Sequence, residues 1–304
     1  MPNIRSRPIA IIDSGLGGLT VTRALRNALP AEDLIYFGDT ARLPYGTKSA
    51  STVCGFVRQI IHFLLPLNPK HVVIACNTAT ALALPGLAAD FPGLPISGVI
   101  EPGARAAVAA AGTKRVPVIG VIATEATIRS RAYDRAIMRR RNLARLLLLA
   151  TPLLVPMIEE GRGNDDPLVA MALEQYLRGM MARKLDVLVL GCTHYPIFKK
   201  AIASVVGPKV RLIDSAEQCA QDVARRLRQR NTGRIGAPAT QDLSIEAALE
   251  SPGTLRAFVT DDAARFTMLA ARFLDMEISP PTLVDPHALY ASPAREAITL
   301  RATG

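Results

Sequence analysis

The chain has 304 residues, 49% hydrophobic and 20% charged, with a formal net charge of +10, which allows one large domain or two medium ones and excludes a disordered chain. No apolar run reaches the roughly 18 residues that a membrane-spanning helix needs, and the opening MPNIRSRPIAIID lacks the apolar stretch and cleavage site of a secretory signal. Cys54, Cys76, Cys192 and Cys219 show no disulfide or zinc spacing, and His62, His71, His194 and His287 are scattered, so the expectation is a reduced cytoplasmic protein with no metal site and no membrane partner.

The first strand is predicted at Ile9 to Ile12, a continuous apolar run. It leads into Asp13-Ser14-Gly15-Leu16-Gly17-Gly18, a glycine-rich turn that is neither a dinucleotide nor a Walker motif. Such a turn can aim backbone N–H groups at a small anion, or Asp13 or Ser14 can simply cap the helix Leu19 to Ala28. A second strand is predicted at Leu34 to Phe37. Pro44-Tyr45-Gly46 reads as a turn entering the helix Ser49 to Leu65, with Cys54 as a packing residue inside it.

The strand Val72 to Ala75 runs into Cys76-Asn77-Thr78. A cysteine after an apolar strand is usually an inert core thiol. Here polar residues follow at once, so the thiol is expected to face a cleft, where a helix N-terminus would lower its pKa. Further strands are predicted at Ile96 to Ile100, Val116 to Ile122, Val187 to Leu190 and Val210 to Ile213. Leu143 to Leu149 suits a strand or a helix equally. Helices are predicted at Asp166 to Ala182 and at Ser215 to Gln229, the latter holding Cys219 in the core. Residues 231–241 read as a loop, 279–286 as irregular, and the tail beyond as peripheral.

This alternation of strands and helices makes the fold class α/β with mainly parallel sheets. Gly191-Cys192-Thr193-His194-Tyr195-Pro196 echoes the Cys76 motif, again with a cysteine where a strand yields to a helix. Ligands in open α/β sheets bind beyond the carboxyl ends of the strands, so two such ends point to two similar halves facing across a cleft. Two thiols on opposite sides of a small substrate suit two-base proton transfer. One takes a proton from carbon as thiolate, the other gives one to the opposite face as thiol, and the centre inverts.

The segments IIDSGLGGLTV, FGDTARLPYG, ACNTAT, GVIATEATIRSRAY, LLVPMIEEG, LVLGCTHYP and LIDSAE together resemble glutamate racemases of the aspartate/glutamate racemase family, in the family's order from about residue 9 to 217. Aspartate racemases usually carry glutamate where His194 stands, so the resemblance favours glutamate as substrate. It implies a cofactor-independent isomerase making D-glutamate for peptidoglycan. Cys76 would take the proton from D-glutamate, assisted by Asp13. Cys192 would take it from L-glutamate, assisted by His194. Asp13, Ser14, Tyr45, Gly46, Asn77, Thr78, Thr124, Glu159, Thr193 and His194 would line the substrate site. Asp13 or Glu159 could meet the substrate's ammonium.

The resemblance also implies a pseudo-twofold pair of domains, with residues 1–101 and 215–304 forming the one that carries Cys76 and 102–214 the one that carries Cys192. It implies a homodimer as well. Departures from the family stand at Ala123, Arg131 and Thr151, where it often has glycine, glycine and cysteine. Aspartate or broad-specificity racemisation stays open, as does a cysteine hydrolase with Cys192 as nucleophile and His194 as base. The arginine clusters at 139–145 and 225–230 read as solvated helix faces. Contact with nucleic acid or DNA gyrase is conceivable from charge and family, but no sequence feature specifies it.

Overall fold

The computed structural model describes residues 3–234 and 252–290. In chain order the elements are β1 (Ile9–Asp13), α1 (Leu19–Ala28), β2 (Leu34–Gly38), α2 (Ala50–Leu64), β3 (His71–Ile74), α3 (Asn77–Leu82), α4 (Leu84–Asp90), β4 (Ile96–Gly98) and α5 (Ile100–Ala110). Then follow β5 (Val118–Ala123), α6 (Glu125–Arg129), α7 (Ala132–Met138), β6 (Arg145–Ala150), α8 (Leu154–Glu159), α9 (Pro167–Met181), β7 (Val187–Gly191), α10 (Lys199–Val206) and β8 (Arg211–Asp214). The described chain closes with α11 (Ser215–Gln229), β9 (Leu255–Val259), α12 (Ala263–Leu274) and β10 (Thr282–Leu283).

The strands form two sheets, ordered β10-β9-β2-β1-β3-β4 and β6-β5-β7-β8, with every neighbouring pair parallel. Parallel sheets need crossover helices, and those helices cover both faces. The strand residues therefore bury on alternate sides. Ile9 and Ile11 of β1 join one apolar core, while Ala10 and Ile12 join another under α2. The first of these cores is continuous with the second sheet, through Ile119, Val121, Val187 and Val189. Helix α11 packs on both α1 and α5, and α5 packs on β7, so these helices join the two sheets.

Several expectations are corrected. The strand read through Ile100 stops at Gly98, and Ile100 opens α5. The strand read from Val116 begins at Val118, because Pro117 has no N–H to give a ladder. Leu143 to Leu149 resolves as the edge strand β6, paired to β5 from Arg145 to Ala150, so sheet pairing overrides leucine's helical preference. The segment read as irregular holds β10, and β9 and α12 were not foreseen. The loop reading over 231–241 can be followed only to residue 234; its remainder and the tail from 291 lie outside the described residues.

One helical stretch, Ala50–Leu67, is long and apolar enough by length and composition to cross a membrane, with mean hydropathy 1.3, contrary to the reading of the apolar runs. It is nonetheless amphipathic. Val53, Val57, Ile60, Ile61 and Leu64 bury against the sheet, while Arg58 and His62 are exposed. Part of each arginine cluster folds back onto an acid: Arg139 and Arg140 on Glu101, and Arg225 and Arg226 on Asp222. Arg131 sits in the left-handed region at φ 55° as the N-cap of α7, a conformation that glycine adopts more readily.

Candidate active site

Strand β3 is flanked by β1 and β4, and β7 by β5 and β8, so each cysteine motif follows an inner strand of its sheet. Cys76 stands directly before α3, and Cys192 directly after β7. Both line one cavity of about 360 Å³. Ser14, Tyr45 and Gly46 reach it from segments that follow strands of the six-stranded sheet, and Asn77 and Thr78 from the start of α3; Thr124, Thr193 and His194 follow strands of the four-stranded sheet, and Glu159 ends α8. Asp13 does not line the cavity; it is 1% exposed and lies under the glycine-rich turn. Gly15, Leu43, Pro44, Thr47, Glu125, Thr151, Pro152, Val155 and Pro156 complete the wall, and none of them is among the site residues expected from the sequence.

On the first side, burial pushes the Cys76 thiol up to about 12, and the Asp13 carboxylate adds to the rise. The Ala79 N–H and the Ser14 hydroxyl pull the other way and lose. The lowering expected from a helix start therefore does not win: α3 is six residues long and the thiol is buried. Asp13 itself is raised by burial, tempered by the charge of His194 and by the N–H groups of Gly15 and Gly18. Its Oδ2 accepts from the Gly15 N–H at 3.0 Å, and its Oδ1 has no partner.

On the second side, Cys192 Sγ lies 3.8 Å from His194 Nδ1, and His194 Nε2 lies 3.0 Å from Glu159 Oε1. Burial alone would lower the imidazole, but the Cys192 sulfur and the Glu159 carboxylate outweigh it and hold His194 up at about 10. Phe273 of α12 packs edge-on against the His194 ring at 5.7 Å between centroids. A helix late in the chain thus fixes the ring's face, a role that no local motif around His194 displays.

The cavity wall between the thiols is rich in donors. Tyr133 Oη donates to Asn77 Oδ1 at 2.8 Å, which leaves the buried Asn77 Nδ2 without a partner at the cavity wall. The hydroxyls of Thr78, Thr124 and Thr127 form a triangle with sides of 2.8, 3.0 and 3.2 Å, joining α3 to the start of α6. Tyr45 is held by its hydroxyl on Asp39, which also takes Arg42 Nε at 2.8 Å and the Thr260 hydroxyl at 3.1 Å.

The glycine-rich turn acts through close approach. A Cβ on Gly17 would collide with Thr193 Oγ1 and His194 Nδ1. The adjacent Thr20 Oγ1 donates to the Thr193 carbonyl at 2.8 Å. Gly17 is therefore the residue that lets the Cys76 half touch the loop carrying Cys192 and His194.

A family model described as Asp/Glu/Hydantoin racemase matches residues 9–223. A glutamate racemase of Syntrophus aciditrophicus is 44% identical over 267 residues, which is 88% of this chain and 92% of that protein. Among solved structures, glutamate racemase isoform RacE1 from Bacillus anthracis aligns with a TM-score of 0.82 at 34% identity, covering 93% of this chain and 98% of that one. Glutamate racemase from Francisella tularensis in complex with D-glutamate aligns with a TM-score of 0.79 at 34% identity, covering 92% and 98%.

Proposed function

This chain belongs to the Asp/Glu/hydantoin racemase family, and from that premise we infer that it interconverts L- and D-glutamate by passing the α-proton between Cys76 and Cys192. The observation that carries the two-thiol reading is that one sulfur from each sheet opens onto a single cavity. From L-glutamate, Cys192 as thiolate removes the α-proton beside the His194–Glu159 pair. Cys76, which burial keeps as the thiol, gives its proton to the opposite face of the carbanion. The two sulfurs end in exchanged protonation states, and the reverse sequence consumes D-glutamate.

The carboxylates of the substrate are held by the spare Asn77 Nδ2 and by the hydroxyls of Ser14, Thr78, Thr124 and Thr193. Asp13 lies beside Cys76 rather than at the substrate, so its part is to hold or share a proton with that thiol. Glu159 already engages His194 with one oxygen and faces the cavity, where it can also meet the ammonium. Fixed dipoles in a water-poor cavity stabilise the carbanion.

Glutamate's enantiomers have equal free energy, so kcat/KM must be the same in both directions for any variant, and only kcat and KM separately can differ. Cys76→Ala and Cys192→Ala are each expected to cut racemisation by at least ~100-fold. Cys76→Ala should still exchange the α-hydrogen of L-glutamate with deuterated solvent, without inversion, followed by polarimetry and mass spectrometry. Wild-type activity in either variant ends the two-thiol reading.

The Cys192–His194–Glu159 relay would also serve a nucleophilic thiol in a hydrolase. Such an enzyme would be indifferent to Cys76→Ala and would form a covalent adduct at Cys192. A panel of L-amino acids separates glutamate from aspartate. D-Glutamate made here would supply peptidoglycan, and the four free cysteines suit the reducing cytoplasm. Domain cuts after residues 101 and 214 are supported by sheet membership, since β1–β4, β9 and β10 share one sheet and β5–β8 the other. The homodimer reading is supported by half-exposed Leu146–Leu149 on edge strand β6, flanked by exposed Leu143 and Leu153; sedimentation equilibrium tests it.

A further inference from the structure

At the amino end of the six-stranded sheet, away from the thiols, lies a second cavity of about 400 Å³. Its wall draws on separate parts of the chain: the segment before β1, the turns before β3 and β4, and the end of α11. The polar groups on it are basic or neutral: Arg7, Lys70, His71, Arg230, Asn68 and Thr232. Lys70 and His71 are 3% and 2% exposed, so this is a built interior rather than a chance surface hollow. Apolar surface from Leu65, Pro69, Leu94 and Leu227 fills the rest of the wall.

Arg7 Nε is buried and has no hydrogen-bond partner. A buried guanidinium N–H without an acceptor is destabilising, and no hydrogen bond or ion pair engages the Arg7 side chain among the described residues, so the guanidinium is suited to an acceptor brought from outside. Glu32 does not supply one, because its carboxylate already accepts from the Lys70 ammonium and the Arg234 N–H. The carbonyls at the end of α11 do not compete either. Those of Arg226, Leu227 and Arg228 are capped by the N–H groups of Arg230, Thr232 and Asn231. Arg230 forms no ion pair among the described residues. The local field is positive: after burial, it is Arg226 and Arg230 that most depress the His71 imidazole.

We propose that this cavity is a binding site for a small phosphate-bearing molecule, with Arg7 and Arg230 as its anion-binding pair and the apolar wall receiving the rest of the ligand. A carboxylate is satisfied by one guanidinium fork. Phosphate carries three oxygens around one centre and accepts from arginines on different segments at once.

Isothermal titration of the whole protein with inorganic phosphate, adenosine monophosphate and D-glutamate, at matched ionic strength, tests the site. Phosphate and the monophosphate should bind the wild type with D-glutamate already saturating the catalytic cleft, the monophosphate more tightly because it also uses the apolar wall. Arg7→Met and Arg230→Met should each weaken binding by about 10-fold or more, as expected for a lost charged hydrogen bond. Their racemase activity should remain at the wild-type level, which also reports that they fold; if Arg7→Met fails to fold, exposed Arg230→Met carries the test alone. Three results would overturn the proposal: no heat with either phosphate compound at millimolar concentration, equal binding in the folded variants, or displacement of phosphate by glutamate. Equal affinity for phosphate and the monophosphate would remove the apolar part of the claim.

Discussion

At the scale of single residues, the orientation of one amide shows how much of the site is set by its neighbours. Tyr133 lies outside the cavity wall, yet its hydroxyl on Asn77 Oδ1 decides that Nδ2 is the atom left for a carboxylate. Tyr133→Phe frees the amide to turn its oxygen toward the substrate. The expected outcome is a rise in KM of about 5- to 10-fold, from ~1 kcal/mol of lost ground-state binding, with kcat changing less. Steady-state polarimetry reads the split, and an unchanged KM would remove Tyr133 from this role. His71 makes a different kind of statement. Burial first, then Arg226 and Arg230, push its imidazole from 6.5 down to about 4. The unfolded chain takes up this proton near 6.5 and the native chain only near 4, so the contribution is whole above pH 6.5 and drains away as pH falls toward 4. It amounts to roughly 3 kcal/mol at most. Denaturant midpoints at pH 7, 5 and 4 should show a fall in the wild type whose His71 share is missing in His71→Asn.

At the scale of elements, the glycines separate cleanly by what surrounds them. Gly17→Ala forces a methyl group into Thr193 and His194. It should cost about 1–3 kcal/mol of stability and, on the proposed mechanism, at least ~100-fold in activity, since the imidazole assigned to assist Cys192 must move. Gly55, inside α2 with nothing within 4 Å of a Cβ, is the control: Gly55→Ala should raise stability by about 0.5–1 kcal/mol with activity intact. Thermal melts and polarimetry of the two variants settle the comparison. The same elements show what the chain reveals when read alone. Continuous runs such as IAIID expose inner parallel strands, because both faces of such a strand must be apolar. Strand β9 hides because Arg256 interrupts LRAFV, and only its pairing with β2 makes it a strand. Helix α12 had a readable signal: Asp262 caps the Arg265 N–H, and Phe266, Leu269, Ala270, Phe273 and Leu274 bury at helical spacing. Cysteines at strand ends were legible because chemistry and position coincide there. The pairings of Tyr133 with Asn77 and of Phe273 with His194 were not, since contacts across the fold leave no local pattern. The site residue most displaced from its reading is Asp13, whose burial beneath the turn depends on Gly18 leaving room beside it.

At the scale of the whole molecule, the apolar core that begins under β1 runs without interruption into β5 and β7, and α5 and α11 tie the two sheets together. Such a molecule should unfold in one cooperative step despite having two sheets. A calorimetric scan is expected to show a single transition with equal calorimetric and van't Hoff enthalpies, and two resolved peaks would mean that the sheets are energetically separate. The same rigidity bears on rate. Because each sheet holds one of the two sulfurs, the proposed mechanism makes the molecule a caliper whose jaws close on a carbon atom. A substitution on the α1–α11–α5 seam, touching nothing in the cleft, would reset the gap between the jaws, and turnover would register the change as a ruler does.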